Sequence, residues 1–185
     1  MAPGAALALP HAAGRLVTPE GGWDRWTVVL CKPDAVRRAL VEPILDWVGR
    51  RIRIVLTRQV VVAEQQILTH YADMVALDHR FPFDVTGELR RNYVGQAVTV
   101  AVGHGTGEDT ARRVRDLLGH YDPARARPDT IRGHFGADSA AVAAAEGRFI
   151  DNLVHTSDDA AGAEREFAVW FGPAHLPALR LQEIR

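Results

Sequence analysis

The sequence predicts an α+β sandwich of βαββαβ order: four antiparallel strands with helices packed on one face. Three observations lead there. Short β-branched and aromatic runs recur at Trp26–Cys31, 53–62 and 96–102, and a fourth leads into His155. Stretches with helical spacing of apolar residues separate these runs. One long irregular connection, 121–136, precedes the fourth run, and loops of that length commonly carry function.

The elements follow in order. Residues 1–22 are rich in Ala and Pro without periodicity, and read as a disordered extension. Trp26–Cys31 is continuous and apolar, as in a central strand, and Pro33 ends it by removing a ladder donor. Val36, Leu40, Ile44, Leu45, Trp47 and Val48 have helical spacing, and Pro43 places the regular helix start near Val41 or Glu42. After the strand at 53–62 come a short helix at 63–71, a loop at 79–84 and a helix over Val85–Tyr93. The strand at 96–102 runs into Gly103, Gly105 and Gly107; a helix at 108–118 then stops at Gly119. Residues 137–148 are alanine-rich and predict an extra helix. A helix from about Asp159 to Trp170 follows the histidine run, and Gly172-Pro173 ends it. The expected domain is 23–173, with a short tail at 174–185.

Composition excludes several classes. With 22 Lys+Arg against 23 Asp+Glu, no global field favours nucleic acid or membrane. The single cysteine, Cys31, rules out an internal disulfide framework and any multi-cysteine metal site, and suits a reducing compartment. The N-terminus lacks a basic segment followed by an apolar core, and no run reaches transmembrane length. A cytoplasmic protein is expected.

The chemistry gathers at Asn152-Leu153-Val154-His155-Thr156-Ser157-Asp158. In an extended segment Leu153 and His155 share a face, so a strand ending there delivers the imidazole to the sheet's rim. Ser157 or Asp158 can cap the helix that follows, from which Glu164 or Glu166 can reach back. A carboxylate on one ring nitrogen fixes the tautomer and frees the other as a nucleophile. Arg132, in a Pro- and Gly-bearing loop, lacks a ready structural explanation. Lys32 alone reads as a turn lysine, Arg115 as part of a wet helix face with Arg112 and Arg113, Tyr71 as core or site. His11, His70, His79, His104, His120, His134 and His175 read as surface or loop residues.

Five stretches, in order and spacing, resemble the nucleoside diphosphate kinase family: Cys31-Lys32-Pro33-Asp34-Ala35-Val36; His70-Tyr71; Arg115-Asp116-Leu117-Leu118-Gly119 with Pro123 soon after; Thr130-Ile131-Arg132-Gly133; and the histidine run. The resemblance covers about Trp26 to Pro173. It implies a ferredoxin-like fold and ping-pong transfer, in which His155 takes the γ-phosphate of a nucleoside triphosphate and passes it to a diphosphate. It implies that Lys32, Arg115, Arg132 and Asn152 hold phosphates and sugar hydroxyls, that Tyr71 stands near the transferred group, and that Glu166 orients the histidine. Ser157 and Asp158 match the polar pair after it. Mg²⁺ would arrive on the nucleotide, with Asp158 reaching it through water, and the family implies a homo-oligomer. Phe81 or Phe83 would stack on the base.

This chain departs from the family pattern in places. Thr156 stands where glycine is usual and adds a Cβ beside the nucleophile. Tyr121 replaces a phosphate-binding threonine, and His120 an acidic residue. The stretch 137–148 is an insertion in the loop near the site. An acceptor specialised for biosynthesis, or a non-catalytic nucleotide-binding protein of the same fold, are the competing expectations.

Overall fold

The computed structural model describes residues 19, 22–81 and 83–180. Apart from residues 19 and 22, the expected extension at 1–22 lies outside them, as do the last five residues. The strands are β1 (Trp26–Cys31), β2 (Arg53–Val61), β3 (Ala97–His104) and β4 (Val154–Thr156). The helices are α1 (Pro33–Arg37), α2 (Val41–Gly49), α3 (Glu64–His70), α4 (Ala72–Ala76), α5 (Val85–Tyr93), α6 (Thr110–Arg115), α7 (Ile131–Phe135), α8 (Ala140–Ala145), α9 (Ala160–Trp170) and α10 (Leu176–Arg180).

The strands form one antiparallel sheet in the order β2-β3-β1-β4. β1 is central because all six of its residues are apolar or small enough to bury, and all six are buried. It pairs with β3 from Trp26 opposite His104 to Cys31 opposite Thr99. On its other side Leu30 faces His155 of the short β4. The strand expected to end at His155 therefore places it at the sheet's edge, one residue before the end.

Helices were expected on one face, yet both faces of β1 are covered. Trp26, Val28 and Leu30 pack with Ile67 of α3, Leu89 of α5, and Phe167 and Trp170 of α9. Val29 and Cys31, on the opposite face by strand alternation, pack with Ile44 and Val48 of α2, Val114 of α6 and Ile131 of α7. The apolar stripe of a helix shows that it packs on something without showing which side of a sheet it takes, so the sequence left this open.

The connection expected to be irregular at 121–136 holds a short 3-10 turn at Pro123–Arg125 and then α7. Thr130 caps α7, its Oγ1 accepting from the Gly133 N–H at 3.3 Å. A Cβ at Gly133 would run into the Arg127 carbonyl, which accounts for glycine there. Gly119 has φ +78°, and its turn directs the chain from α6 toward this segment. The C-terminal stretch expected as a tail includes α10, whose Leu176 and Leu179 are buried in the first cluster.

Candidate active site

His155 is presented through a strained turn. Leu153 has φ +70°, and the Val154 N–H donates to the Asn152 carbonyl at 2.8 Å, the two-residue closure of a γ-turn. For a branched residue such a backbone costs about 1–3 kcal/mol and persists only where its surroundings over-determine it. Here they do. The Leu153 side chain is fully buried. Its N–H donates to Asp34 Oδ2 at 2.9 Å, and its carbonyl accepts from the Lys32 N–H at 2.8 Å. The Lys-Pro-Asp turn after β1 thus grips the residue two before the histidine.

Arg132 completes the grip. Its Nε donates to the Asn152 carbonyl (3.2 Å), its Nη2 to the Val154 carbonyl (2.8 Å) and its Nη1 to the Gly119 carbonyl (3.1 Å). The guanidinium is buried and holds backbone, with two of its five N–H donors left for a ligand.

Of the two candidate carboxylates, Glu166 reaches the histidine. His155 Nε2 lies 3.1 Å from Glu166 Oε1, and Ser157 Oγ donates to Glu166 Oε2 at 3.0 Å. Ser157 Oγ in turn accepts from the Val28 N–H at 3.0 Å, tying the carboxylate to β1. Ser157 therefore braces Glu166, and the helix cap falls to Asp159, which accepts from the Gly162 N–H at 2.8 Å. Burial pushes the Glu166 carboxyl up to about 7. Burial, then the charges of Lys32 and Arg115, holds His155 down to about 3, a neutral imidazole. With Nε2–H donated to an ionised Glu166, Nδ1 carries the lone pair.

His70, expected at the surface, is instead buried against His155, with ring centroids 4.7 Å apart and the planes near perpendicular. Its Nδ1 accepts from Trp170 Nε1–H at 3.1 Å. Burial, then His155, holds it down to about 3. Tyr71, beside it, packs edge-on to His155 at 5.5 Å and shares a hydroxyl contact of 3.2 Å with Tyr93. His104 closes β3 with its ring 4.5 Å from Trp26, and is likewise no loop residue.

The remaining expected residues converge on the same corner. Lys32 Nζ donates to Asn152 Oδ1 at 2.7 Å, and Asn152 Nδ2 donates to the Tyr121 carbonyl at 2.9 Å. Arg115 donates to the Thr156 carbonyl at 3.1 Å and pairs with Asp158 at 2.8 Å. Burial, with the charge of Arg132 next, pulls Lys32 down to about 8; burial, with Arg115 next, pulls Arg132 down to about 10. Cations that depress one another this way are relieved by an anion between them. Tyr121 is more than half exposed, its ring tilted against His120 at 4.7 Å, so it contributes its carbonyl to Asn152. Thr156 is fully buried on the face opposite His155, so its Cβ does not crowd the imidazole; its Oγ1 finds no partner among the described residues.

A cavity of about 750 Å³ opens beside this corner. Lys32, Tyr71, Tyr121 and Asn152 line its near end, and Phe81, Phe83 and Phe149 its aromatic wall. Phe149, which sequence reasoning missed, meets Phe83 edge-to-face at 5.2 Å. Its signal was an aromatic three residues before Asn152. The three groups among the described residues that come close enough to share a metal ion are His70, His155 and Glu166. That nitrogen-rich, buried set suits a borderline ion such as zinc and not magnesium, which prefers oxygen.

A carboxylate-backed histidine on an edge strand, with Lys32 at the cavity wall and Arg115 and Arg132 bonded to the backbone on either side of the histidine, is an arrangement suited to receiving a phosphoryl group. Fold and site together define a ferredoxin-like α+β protein of that kind. The family described as nucleoside diphosphate kinase matches residues 25–176. A nucleoside diphosphate kinase of Streptococcus thermophilus is 34% identical over 147 residues, covering 79% of this chain and 97% of the relative. One from a Nocardioides species is 36% identical over 146 residues, covering 78% and 95%. The Borrelia burgdorferi nucleoside diphosphate kinase, solved as a transition state mimic with vanadate and ADP, superposes with a TM-score of 0.71 at 30% identity, covering 79% of this chain and 86% of that one. The chain belongs to the nucleoside diphosphate kinase family.

Proposed function

We propose that this protein moves the γ-phosphate of a nucleoside triphosphate such as ATP to a nucleoside diphosphate by a ping-pong mechanism on His155. The observation that carries the reading is the His155 Nε2 to Glu166 contact of 3.1 Å, which leaves Nδ1 as the nucleophile. In the first half, Nδ1 attacks the γ-phosphorus, the bond to the bridging oxygen breaks, and the diphosphate leaves with that electron pair. In the second half a terminal oxygen of another diphosphate takes the phosphoryl group and Nδ1 regains its lone pair. Lys32, Arg115 and the remaining donors of Arg132 neutralise the moving charge, and Asn152 with Lys32 meets the sugar and phosphates. Tyr71 stands at the reacting end, and Phe81, Phe83 and Phe149 supply faces for a base. That the Borrelia relative was solved as a transition state mimic with vanadate and ADP supports the phosphotransfer reading.

Mg²⁺ would enter on the nucleotide, and when bound it offsets phosphate charge. Asp158, exposed and paired with Arg115, is the carboxylate of the histidine run placed to meet one of its waters. No helix among the described residues is long and apolar enough to cross a membrane, and the single cysteine, unpaired and buried, supports a reducing, cytoplasmic setting. The outer edge of β2 ends in Val61, 68% exposed, a surface that supports self-association into a homo-oligomer.

The test is incubation with γ-labelled ATP. Wild type should acquire acid-labile, base-stable label and release it to added nucleoside diphosphate, and His155→Ala should acquire none while keeping its far-ultraviolet spectrum. Undiminished exchange in His155→Ala overturns the mechanism. Nucleotide binding by wild type without label leaves a binding protein of this fold.

A further inference from the structure

Two tyrosine hydroxyls meet beside the histidine, and burial fixes the direction of the hydrogen bond between them. Tyr71 sits at the corner where α3 passes into α4, its ring edge-on to His155 at 5.5 Å and to His70 at 4.5 Å. Tyr93 ends α5, its carbonyl accepting from the Gln96 N–H at 2.9 Å and its ring packed in the first core cluster. The two hydroxyl oxygens lie 3.2 Å apart, and both residues line the cavity. Among the described residues neither hydroxyl has a second hydrogen-bond partner. Each hydroxyl carries one hydrogen, so one tyrosine donates and the other keeps a hydrogen to spare. Tyr93 is 4% exposed, whereas Tyr71 is half-buried. A buried donor without an acceptor is costly, so Tyr93 donates to Tyr71. The spare hydrogen then belongs to Tyr71, the ring that packs on the histidine. Burial raises both hydroxyls above the ordinary tyrosine value, so both keep their hydrogens wherever the protein works.

We propose that Tyr93 is a positioning residue: its hydroxyl aims the Tyr71 hydroxyl hydrogen at the phosphoryl group exchanged on His155. The inference rests on the phosphotransfer reading above and adds to it a residue outside every sequence motif. Without the Tyr93 hydroxyl, nothing else among the described residues fixes the torsion of the Tyr71 O–H. A donor aimed before the reaction starts needs no reorganisation as charge shifts onto the phosphoryl oxygens. Tyr93 touches no reacting atom and acts through Tyr71, so its effect falls on transfer and not on nucleotide binding.

A double-mutant cycle tests this. Tyr93→Phe removes the hydroxyl and keeps the buried ring; Tyr71→Phe removes the hydroxyl that it aims. Single-turnover labelling by γ-labelled ATP is followed in wild type, each variant and the pair, over a range of ATP concentrations. Tyr93→Phe should label about tenfold more slowly at saturating ATP, the worth of one hydrogen bond to a charged group, with the half-saturating concentration unchanged. Tyr71→Phe should lose at least as much. In the Tyr71→Phe background, Tyr93→Phe should cost nothing further, a non-additivity that lost packing does not produce. Labelling of Tyr93→Phe at the wild-type rate overturns the proposal. So does a loss that persists in the Tyr71→Phe background, which would make Tyr93 a packing residue. Vanadate binding in the presence of ADP, measured by calorimetry, gives a second cycle that needs no label, because vanadate imitates a phosphoryl group in transfer. Its affinity should fall about tenfold in Tyr93→Phe and no further in the pair than in Tyr71→Phe. Wild type that takes no label yet shows this coupling would strike the phosphotransfer reading and uphold the tyrosine pair. Vanadate affinity indifferent to Tyr93 overturns the pair whatever the labelling.

Discussion

Arg132 donates to both carbonyls that flank Leu153, the residue whose positive φ turns the chain into His155. Sequence and family resemblance assigned this arginine to phosphate. The geometry adds that two of its donors hold the strained turn on which the nucleophile is mounted, and a third holds the Gly119 carbonyl.

Arg132→Lys should therefore impair folding as well as catalysis. Lysine offers one ammonium and cannot span three carbonyls in the plane of a guanidinium. Losing hydrogen bonds from a buried charge costs about 1.5–3 kcal/mol each at most, with the freed carbonyls still partly hydrated. Urea unfolding should show a lower midpoint, alongside slower labelling of His155. A variant as stable as wild type and impaired only in nucleotide KM would mean that phosphate contact is the whole role.

Acidity should switch the nucleophile through Glu166. Above pH about 7 the carboxylate is ionised and accepts from Nε2–H; below it, the proton on Glu166 donates to Nε2 and the ring hydrogen moves to Nδ1. Labelling of wild type should fall as pH drops through 7. Glu166→Gln should be slower and lack that step, and a step at the same pH in both would point to another group. Stability carries the opposite sign. A carboxyl raised from 4.5 to about 7 destabilises the fold fully above 7, and the penalty fades as pH falls toward 4.5. The difference in unfolding free energy between Glu166→Gln and wild type should thus favour the variant more at pH 8 than at pH 5. Taking the difference removes the contribution of His70 and His155, whose lowered values cost stability on acidification below 6.5.

Ser157→Ala should weaken both strand and site. The hydroxyl satisfies the Val28 N–H and one oxygen of Glu166, so removing it strands two buried groups at a cost of about 1–3 kcal/mol apiece. Because that hydrogen bond favours the charged carboxylate, its loss should move the labelling step to higher pH. Thermal unfolding and a pH series measure the two effects. An unmoved step would show that Ser157 serves only the strand.

His70 should matter to packing and not to proton transfer. Held near 3, it stays neutral wherever the enzyme works. His70→Phe keeps an edge against His155 and strands the Trp170 N–H. Expected is a lower melting temperature with the shape of the labelling pH profile unchanged; a profile that shifts would make His70 part of the proton inventory.

The strands were legible because β-branched runs stand out locally, whether fully buried like Trp26–Cys31 or half-exposed like Arg53–Val61. The histidine run and Thr-Ile-Arg-Gly were legible because each is a short contiguous motif, although their partners lie far along the chain. What escaped depends on distance along the chain. His70 ends an ordinary short helix, and the tryptophan that pins it lies one hundred residues away. The carbonyl partners of Arg132 have no side-chain signature at all. Residues 140–145 read as a generic alanine helix, since its part in lining a cavity with Phe83 and Phe149 is visible only in the folded chain. The second covered face went unseen because amphipathicity names a buried stripe and not its neighbour.

Cys31 ends the central strand opposite Val154, fully buried, with its thiol pushed up to about 12 by burial and by Asp34. It is the one cysteine in 185 residues. In the closed sheet it is invisible to alkylating reagents, which attack the thiolate. Its modification rate under native conditions therefore counts the moments when β4 lifts from β1, a clock for local opening that needs no engineered probe. Any nucleotide that tightens the corner around Asn152 and His155 should slow that clock, making occupancy readable by mass spectrometry on the unaltered chain.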